Sequence, residues 1–245
     1  MDRNTAYRAA TRLYTDHNLL SQAIIDMTPD QQHYLHKVLR LTSGDKIYVF
    51  NGRDGEWIGE CDGKKSVRLI EKTRDQTNEG DIWMLFAPVK KDNTDFILQK
   101  STELGVATLW PIYTERSNTH RFNMERAIAN VTEAAEQSRR LTIPQIMPDM
   151  NLEDALEKWD PNRLLIYGDE LQNAPALAAI LPSLTNAKIA FLIGPEGGFS
   201  ADEHRRLCAY PFVRAMHLGP RILRAETAVM AALACYQAIC GDWKN

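Results

Sequence analysis

At 245 residues, 44% hydrophobic and 25% charged, the chain is long enough to bury a core as one large domain or two small ones without covalent staples. Cys61, Cys208, Cys235 and Cys240 form no C-x-x-C pair and have no histidines at zinc spacing, which argues against a metal site, and a charged N-terminus with no apolar run of roughly 18 residues argues against a leader or membrane span. A soluble, cytoplasmic protein with reduced thiols is expected; the net charge of -3 disfavours a uniformly basic nucleic-acid binder, although residues 1–78 are mildly basic through Arg12, Lys37, Arg40, Lys64, Lys65 and Arg68.

In chain order, the first elements are short alternating runs divided by turn signals, from AIIDM through KIYVFNGRDGEWIGECDG to KKSVRLIEK, the pattern of a small β-rich domain. NGRDG, with Gly52 and Gly55, predicts one hairpin connection and Asp62-Gly63-Lys64 a second. Before them, Thr28-Pro29-Asp30 followed by QQHYLHKVLRL predicts one helix with a threonine cap and proline in its first turn. TRDQTNEGD, residues 73–81, is polar and reads as a linker. Beyond it IWMLFAPV, VATLWPIYT, LLIYGD, KIAFLIG and AMHLG predict buried strands, alternating with helices at DNTDFILQKSTELG and RAIANVTEAAEQSRR; this alternation predicts a parallel sheet covered on both faces.

Two loops carry the chemical signal. KIAFLIG runs straight into Gly194-Pro195-Glu196-Gly197-Gly198, and Ser200-x-x-Glu203 then has the form of a capping box. Glycines at the end of a parallel strand let a ligand approach the backbone amides, while a ligand-free tight turn is the alternative. The loop lacks both G-x-G-x-x-G and the phosphate-cradling G-x-x-x-x-G-K-[ST], and it has no cation for a phosphate. The second loop, HLGPRILRAETA, sets Ile222 and Leu223 between Arg221 and Arg224, with Glu226 at the start of an Ala-rich helix. The aliphatics suit an adenine slot and the charges an ionisable substrate; alternatively, Arg224 and Glu226 cap the helix and pair with each other.

IGPEGGFS and LGPRILRAETA resemble the two signature motifs of the ribosomal small-subunit (16S) RNA uridine-N3 methyltransferase family, within the knotted SpoU–TrmD (SPOUT) superfamily. KKDNTDFILQKSTELGVATLWPIYTERS, EAAEQSRRLTIP and HYLHKVLRLTSGD are similar to further segments of that family, so the resemblance runs from Arg12 to Tyr236. It implies an α/β protein with a PUA-like RNA-binding β-barrel over residues 1–76 and, over 77–245, a parallel-sheet domain threaded through a deep trefoil knot. It also implies S-adenosylmethionine held bent in that knot, no metal, a homodimer, and small-subunit ribosomal RNA as partner. Carried over by position, Gly194, Glu196, Gly197 and Gly198 shape one wall of the cofactor pocket; Leu218, Gly219, Ile222 and Leu223 shape the other, with Tyr167 and Gly168 nearby. Arg12, Lys37 and Arg40 are the candidates for RNA contact. Because uridine N3 must lose a proton before it attacks a methyl group, Arg224 or Arg221 is expected to stabilise developing negative charge, and Glu226 is the carboxylate able to act as base. His33, His36 and His217 are assigned no chemistry, and Glu103, Glu115, Arg116 and Glu136 are as compatible with packing as with substrate contact. The chain departs from the family pattern at Arg139 and in the first ten residues, which read as a basic, disordered extension. A silent RNA-binding module would show damage in the two motifs, and an unrelated nucleotide enzyme would show a phosphate fingerprint; the chain has neither.

Overall fold

The structure, a computed structural model, describes residues 11–77, 79–119, 121–169 and 174–244, so the N-terminal extension lies outside the described residues. Contacts divide the chain into two units, Met1–Asn78 with Ala135–Ile143, and Glu79–Ala134 with Pro144–Asn245.

In the first unit β1 (Arg12–Tyr14), β2 (Ile24–Asp26), β3 (Lys46–Phe50), β4 (Glu56–Asp62) and β5 (Ser66–Arg74) form one sheet in the order β1-β3-β4-β5-β2. β1 runs parallel to β3 and the other pairs are antiparallel. Register shifts at Glu56/Trp57 and Ile58/Gly59 break the β4–β5 ladder, and such bulges bend a strand. One face closes over Leu13, Ile25, Leu35, Ile47, Val67 and Leu69. Helix α1 (Pro29–His33) starts in a full capping box between Thr28 and Gln31. The predicted helix does not continue regularly through HYLHKVLRL: Tyr34–Val38 widens, with the Leu39 N–H reaching back to Tyr34 O at 3.0 Å, and the chain leaves through Arg40 at φ +58°. The first predicted turn is present with Gly52 and Gly55 at positive φ, and β5 extends to Arg74, into the segment read as linker.

The second unit contains β6 (Trp83–Phe86), α2 (Lys91–Glu103), β7 (Thr108–Tyr113), most of α3 (Met124–Ser138), β8 (Gln145–Ile146), β9 (Met150–Asn151), α4 (Leu152–Glu157), β10 (Arg163–Gly168), α5 (Leu177–Ile180), β11 (Lys188–Ile193), α6 (Ala201–Ala209), β12 (Val213–Met216) and α7 (Ala225–Ile239). Its sheet is parallel throughout, in the order β12-β10-β11-β6-β7-β8, with β9 pairing separately to β7. Ile189–Ile193 are buried without interruption, as a strand covered on both faces must be. Successive side chains in a strand alternate faces. Accordingly Ala190 and Leu192 join Trp110, Trp159, Tyr167 and Leu207 under α4 and α6, whereas the Phe191 ring meets Tyr236 of α7 edge-on at 6.2 Å. This sandwich fixes where the C-terminal ends of β10, β11 and β12 emerge.

Candidate active site

Those three strand ends border a cavity of about 240 Å³. From β10 come Gly168 and Asp169; from β11, Ile193 and then Gly194, Glu196, Gly197 and Gly198. β12 supplies Met216, followed by His217, Leu218, Gly219, Arg221, Ile222 and Leu223, and the first turns of α7 close the outline with Ala225 and Ala228. Two loops distant in sequence are thereby brought onto one concavity at the edge where parallel sheets bind ligands.

The glycine loop has local reasons for its sequence. An added Cβ at Gly194 would stand 3.0 Å from the Phe199 ring, so a larger residue there would push against the ring packed beneath the loop. Gly198 takes φ +65°, a conformation costly for a residue with a Cβ, and donates its N–H to Pro195 O at 2.9 Å. The capping box then opens α6: Ser200 Oγ accepts the Glu203 N–H at 3.1 Å and Glu203 Oε2 accepts the Ser200 N–H at 2.8 Å. On the other side, His217 Nδ1 accepts the Gly219 N–H at 3.0 Å, which makes this the unprotonated ring nitrogen and shapes the turn into GPRILR. Ile222 is 85% exposed at the rim, an unusual place for a large aliphatic side chain.

The model of a family described as "RNA methyltransferase domain" matches residues 76–237, and that of an "RNA methyltransferase PUA domain" matches residues 28–72. The chain belongs to this RNA methyltransferase family. It is 35% identical to the ribosomal RNA small subunit methyltransferase E of Rickettsia conorii over 91% of this chain and 93% of that protein. Identity to the enzyme of the same name from Synechocystis is 32%, over 96% of this chain and 80% of the relative. The crystal structure of ribosomal RNA small subunit methyltransferase E from Neisseria gonorrhoeae bound to S-adenosyl methionine superposes with a TM-score of 0.85 at 29% identity, covering 96% of this chain and 99% of that one. A Legionella pneumophila structure, also in complex with its bound cofactor SAM, gives 0.83 at 26% identity over 94% and 97%. The chain is an RNA methyltransferase of this type.

Within this methyltransferase, the residues expected to act separate into those on the cavity and those beside it. Gly168, Gly194, Glu196, Gly197, Gly198, Leu218, Gly219, Arg221, Ile222 and Leu223 line it. Tyr167 does not: it is 1% exposed, its ring stands edge-on to Phe199 and His204 at 5.9 and 5.3 Å, and its hydroxyl lies 3.6 Å from Cys208 Sγ. Strand alternation turns it under α6 while Gly168 takes the cavity. Arg224 is exposed at the N-cap of α7 and Glu226 is half-buried in its first turn; neither borders the cavity directly. Among the described residues no ion pair joins them, and Glu226 Oε2 is buried without a hydrogen-bond partner. Sequence reasoning passed over Asp169, which lies 7% exposed with its carboxylate 3.3 Å from His204 Nε2; its place after the LLIYG strand was the available signal.

The three expected RNA contacts fare differently within the first unit. Lys37 and Arg40 are exposed on the widened turn after α1. Arg12 is buried and its fork is committed internally: Nε donates to Glu56 at 2.7 Å, Nη1 to the carbonyls of Ala135 and Glu136 at 3.0 Å each, and Nη2 to Arg140 O at 2.7 Å, with the guanidinium 4.4 Å from the Phe50 ring centre. Burial draws its pKa below the ordinary value, and the bond to Glu56 opposes that shift. The expectation of an RNA contact at Arg12 is therefore corrected to an internal clamp on the C-terminal carbonyls of α3. Among the described residues no cluster of His, Cys, Asp or Glu is arranged to hold a metal, and no helix is long and apolar enough to cross a membrane.

Proposed function

We propose that this chain transfers a methyl group from S-adenosylmethionine to N3 of a uridine in 16S ribosomal RNA of the small subunit. The observation that carries the proposal is the convergence of the GPEGG and LGPRILR loops on one cavity in a chain that matches the RNA methyltransferase family along most of its length. The lining suits this cofactor: Ile193, Leu218, Ile222 and Leu223 offer apolar surface to an adenine ring, the glycine loop offers backbone groups, and the acidic Asp169 and Glu196 suit a cationic ligand. Bound there, the cofactor supplies an electrophilic methyl group on a sulfonium.

The chain's part is to desolvate and orient the uracil and to manage the N3 proton. Arg221, on the cavity wall, and Arg224, at the N-cap of α7, stabilise negative charge on O2 or O4 as that proton leaves, their charge being the support for this role. Glu226, in the first turn of α7, is the carboxylate of that motif assigned to receive it. The GPEGG and LGPRILR loops would hold the cofactor, which would supply the methyl group for N3 and leave as S-adenosylhomocysteine.

The same reading includes a trefoil knot in the 77–245 domain, a PUA-like barrel over 1–76, a homodimer and a cytoplasmic setting. The strand order supports the knot, since β12 returns to the outer side of β10 after β11 has taken the inner side. The PUA-domain match over residues 28–72 supports the barrel. Mass spectrometry of ribosomal RNA nucleosides from a strain lacking the protein tests the function: one 3-methyluridine should disappear from small-subunit RNA, and an unchanged nucleoside profile would reject the assignment.

A further inference from the structure

The glycine loop is gripped by a turn from elsewhere in the second unit. A capping box needs only one Glu203 oxygen, which accepts the Ser200 N–H; the other, Oε1, accepts the Glu115 N–H at 2.8 Å, and the whole residue is 6% exposed. Residues 114–117 form a tight turn after β7, with Ser117 Oγ accepting the Thr114 N–H at 2.9 Å and the Ser117 N–H donating to Thr114 O at 3.1 Å. From that turn Arg116 Nη1 donates to Gly197 O at 2.8 Å. Its stem lies against Gly197, where an added Cβ would come within 3.3 Å of Arg116 Cβ. The turn thus holds the loop at Gly197 and at Ser200, on either side of Gly198 with its positive φ.

We propose that the 114–117 turn is a clamp that keeps the GPEGG loop in its cofactor-accepting shape, with Arg116 and Glu203 as positioning residues. Neither lines the cavity, so their effect on a ligand passes through the loop. Arg116 is otherwise exposed, and its bond to Gly197 O adds little to global stability while biasing the shape of one loop. Losing one such bond shifts the equilibrium between the shaped and unshaped loop about five-fold, and ligand affinity follows that shift.

The affinity arm of the test rests on the S-adenosylmethionine reading; a second arm does not. Calorimetric titration of Arg116→Ala with S-adenosylmethionine should show affinity about five-fold weaker, with a melting temperature within about 1 °C of the parent, as for a surface substitution. Hydrogen exchange at the Gly198 amide, bonded to Pro195 O, should accelerate by a similar factor without any ligand. Arg116→Lys, which retains a donor, should recover part of both effects. Unchanged Gly198 exchange in Arg116→Ala overturns the clamp, as does a lowered melting temperature with unchanged affinity. If the parent protein binds no S-adenosylmethionine, the cofactor reading falls and the exchange arm still decides the clamp.

Discussion

Arg12→Met separates an internal clamp from an RNA contact. Arg12 and Glu56 are 6% and 8% exposed in their side chains, and removing one partner of so buried a pair ordinarily costs 3–5 kcal/mol, roughly. The low end applies here, because Thr73 Oγ1 still donates to Glu56 Oε1 at 3.2 Å and Arg74 Nη1 stays 3.8 Å from Oε2. Two carbonyls in the last turn of α3, and that of Arg140 just beyond it, also lose their donor. A destabilisation of about 3 kcal/mol corresponds to a fall of about 6–12 °C in melting temperature for a chain of this size. Arg12→Lys should fall nearly as far, since an ammonium cannot reproduce four divergent bonds from a planar fork. Thermal unfolding followed by circular dichroism reads both variants, and RNA affinity is measured below the transition. If Arg12→Met melts like the parent and loses RNA affinity, while Arg12→Lys keeps it, the clamp is refuted and a phosphate contact takes its place.

Gly198→Ala places a Cβ at φ +65°, a strain of about 1 kcal/mol confined to the GPEGG loop; calorimetry should show S-adenosylmethionine binding weakened about five-fold, and unchanged binding would mean the loop tolerates another shape. On the mechanism proposed above, Arg224→Ala should lower the single-turnover methylation rate about 100-fold while leaving cofactor affinity within about two-fold, through loss of the charge assigned to the developing uridinate; an unaltered rate removes it from the mechanism. The Leu19 N–H at 2.9 Å and Asn51 Nδ2 at 2.7 Å hold Asp54 charged and its pKa below the usual 3.8. With the folded pKa below the unfolded one, this stabilisation is present above pH 3.8 and drains away as pH falls through the folded value. Asp54→Asn should therefore flatten the acid limb of a urea-midpoint profile, and a parallel downward shift at every pH would contradict the linkage.

Local signals were legible in the sequence and distant ones were not. The Thr28 cap and the Ser200-x-x-Glu203 box act within one turn of helix, and both form, Thr28 completing with Gln31 a box that had not been read. Gly105, which ends the predicted DNTDFILQKSTELG helix, sits at φ +80° just past α2. β1 escaped because three residues carry no period, and it exists only through its pairing with β3 more than thirty residues away. Arg12 looked like surface charge for the same reason: its partners at Glu56, Ala135, Glu136 and Arg140 are scattered over the chain. At the candidate site the two loops were visible from their glycines and arginines. Strand phase decided the rest, sending Tyr167 into the core and leaving Gly168 on the cavity, and a run as apolar as LLIY shows no such phase in sequence.

Uridine N3 as the target is tested by incubating the purified protein with methyl-labelled S-adenosylmethionine and small ribosomal subunits from a strain lacking it, then digesting the RNA to nucleosides for mass spectrometry. Label should appear in 3-methyluridine, from a single position of the small-subunit RNA. Label in a different nucleoside, or no label from a protein shown to bind the cofactor, would contradict it.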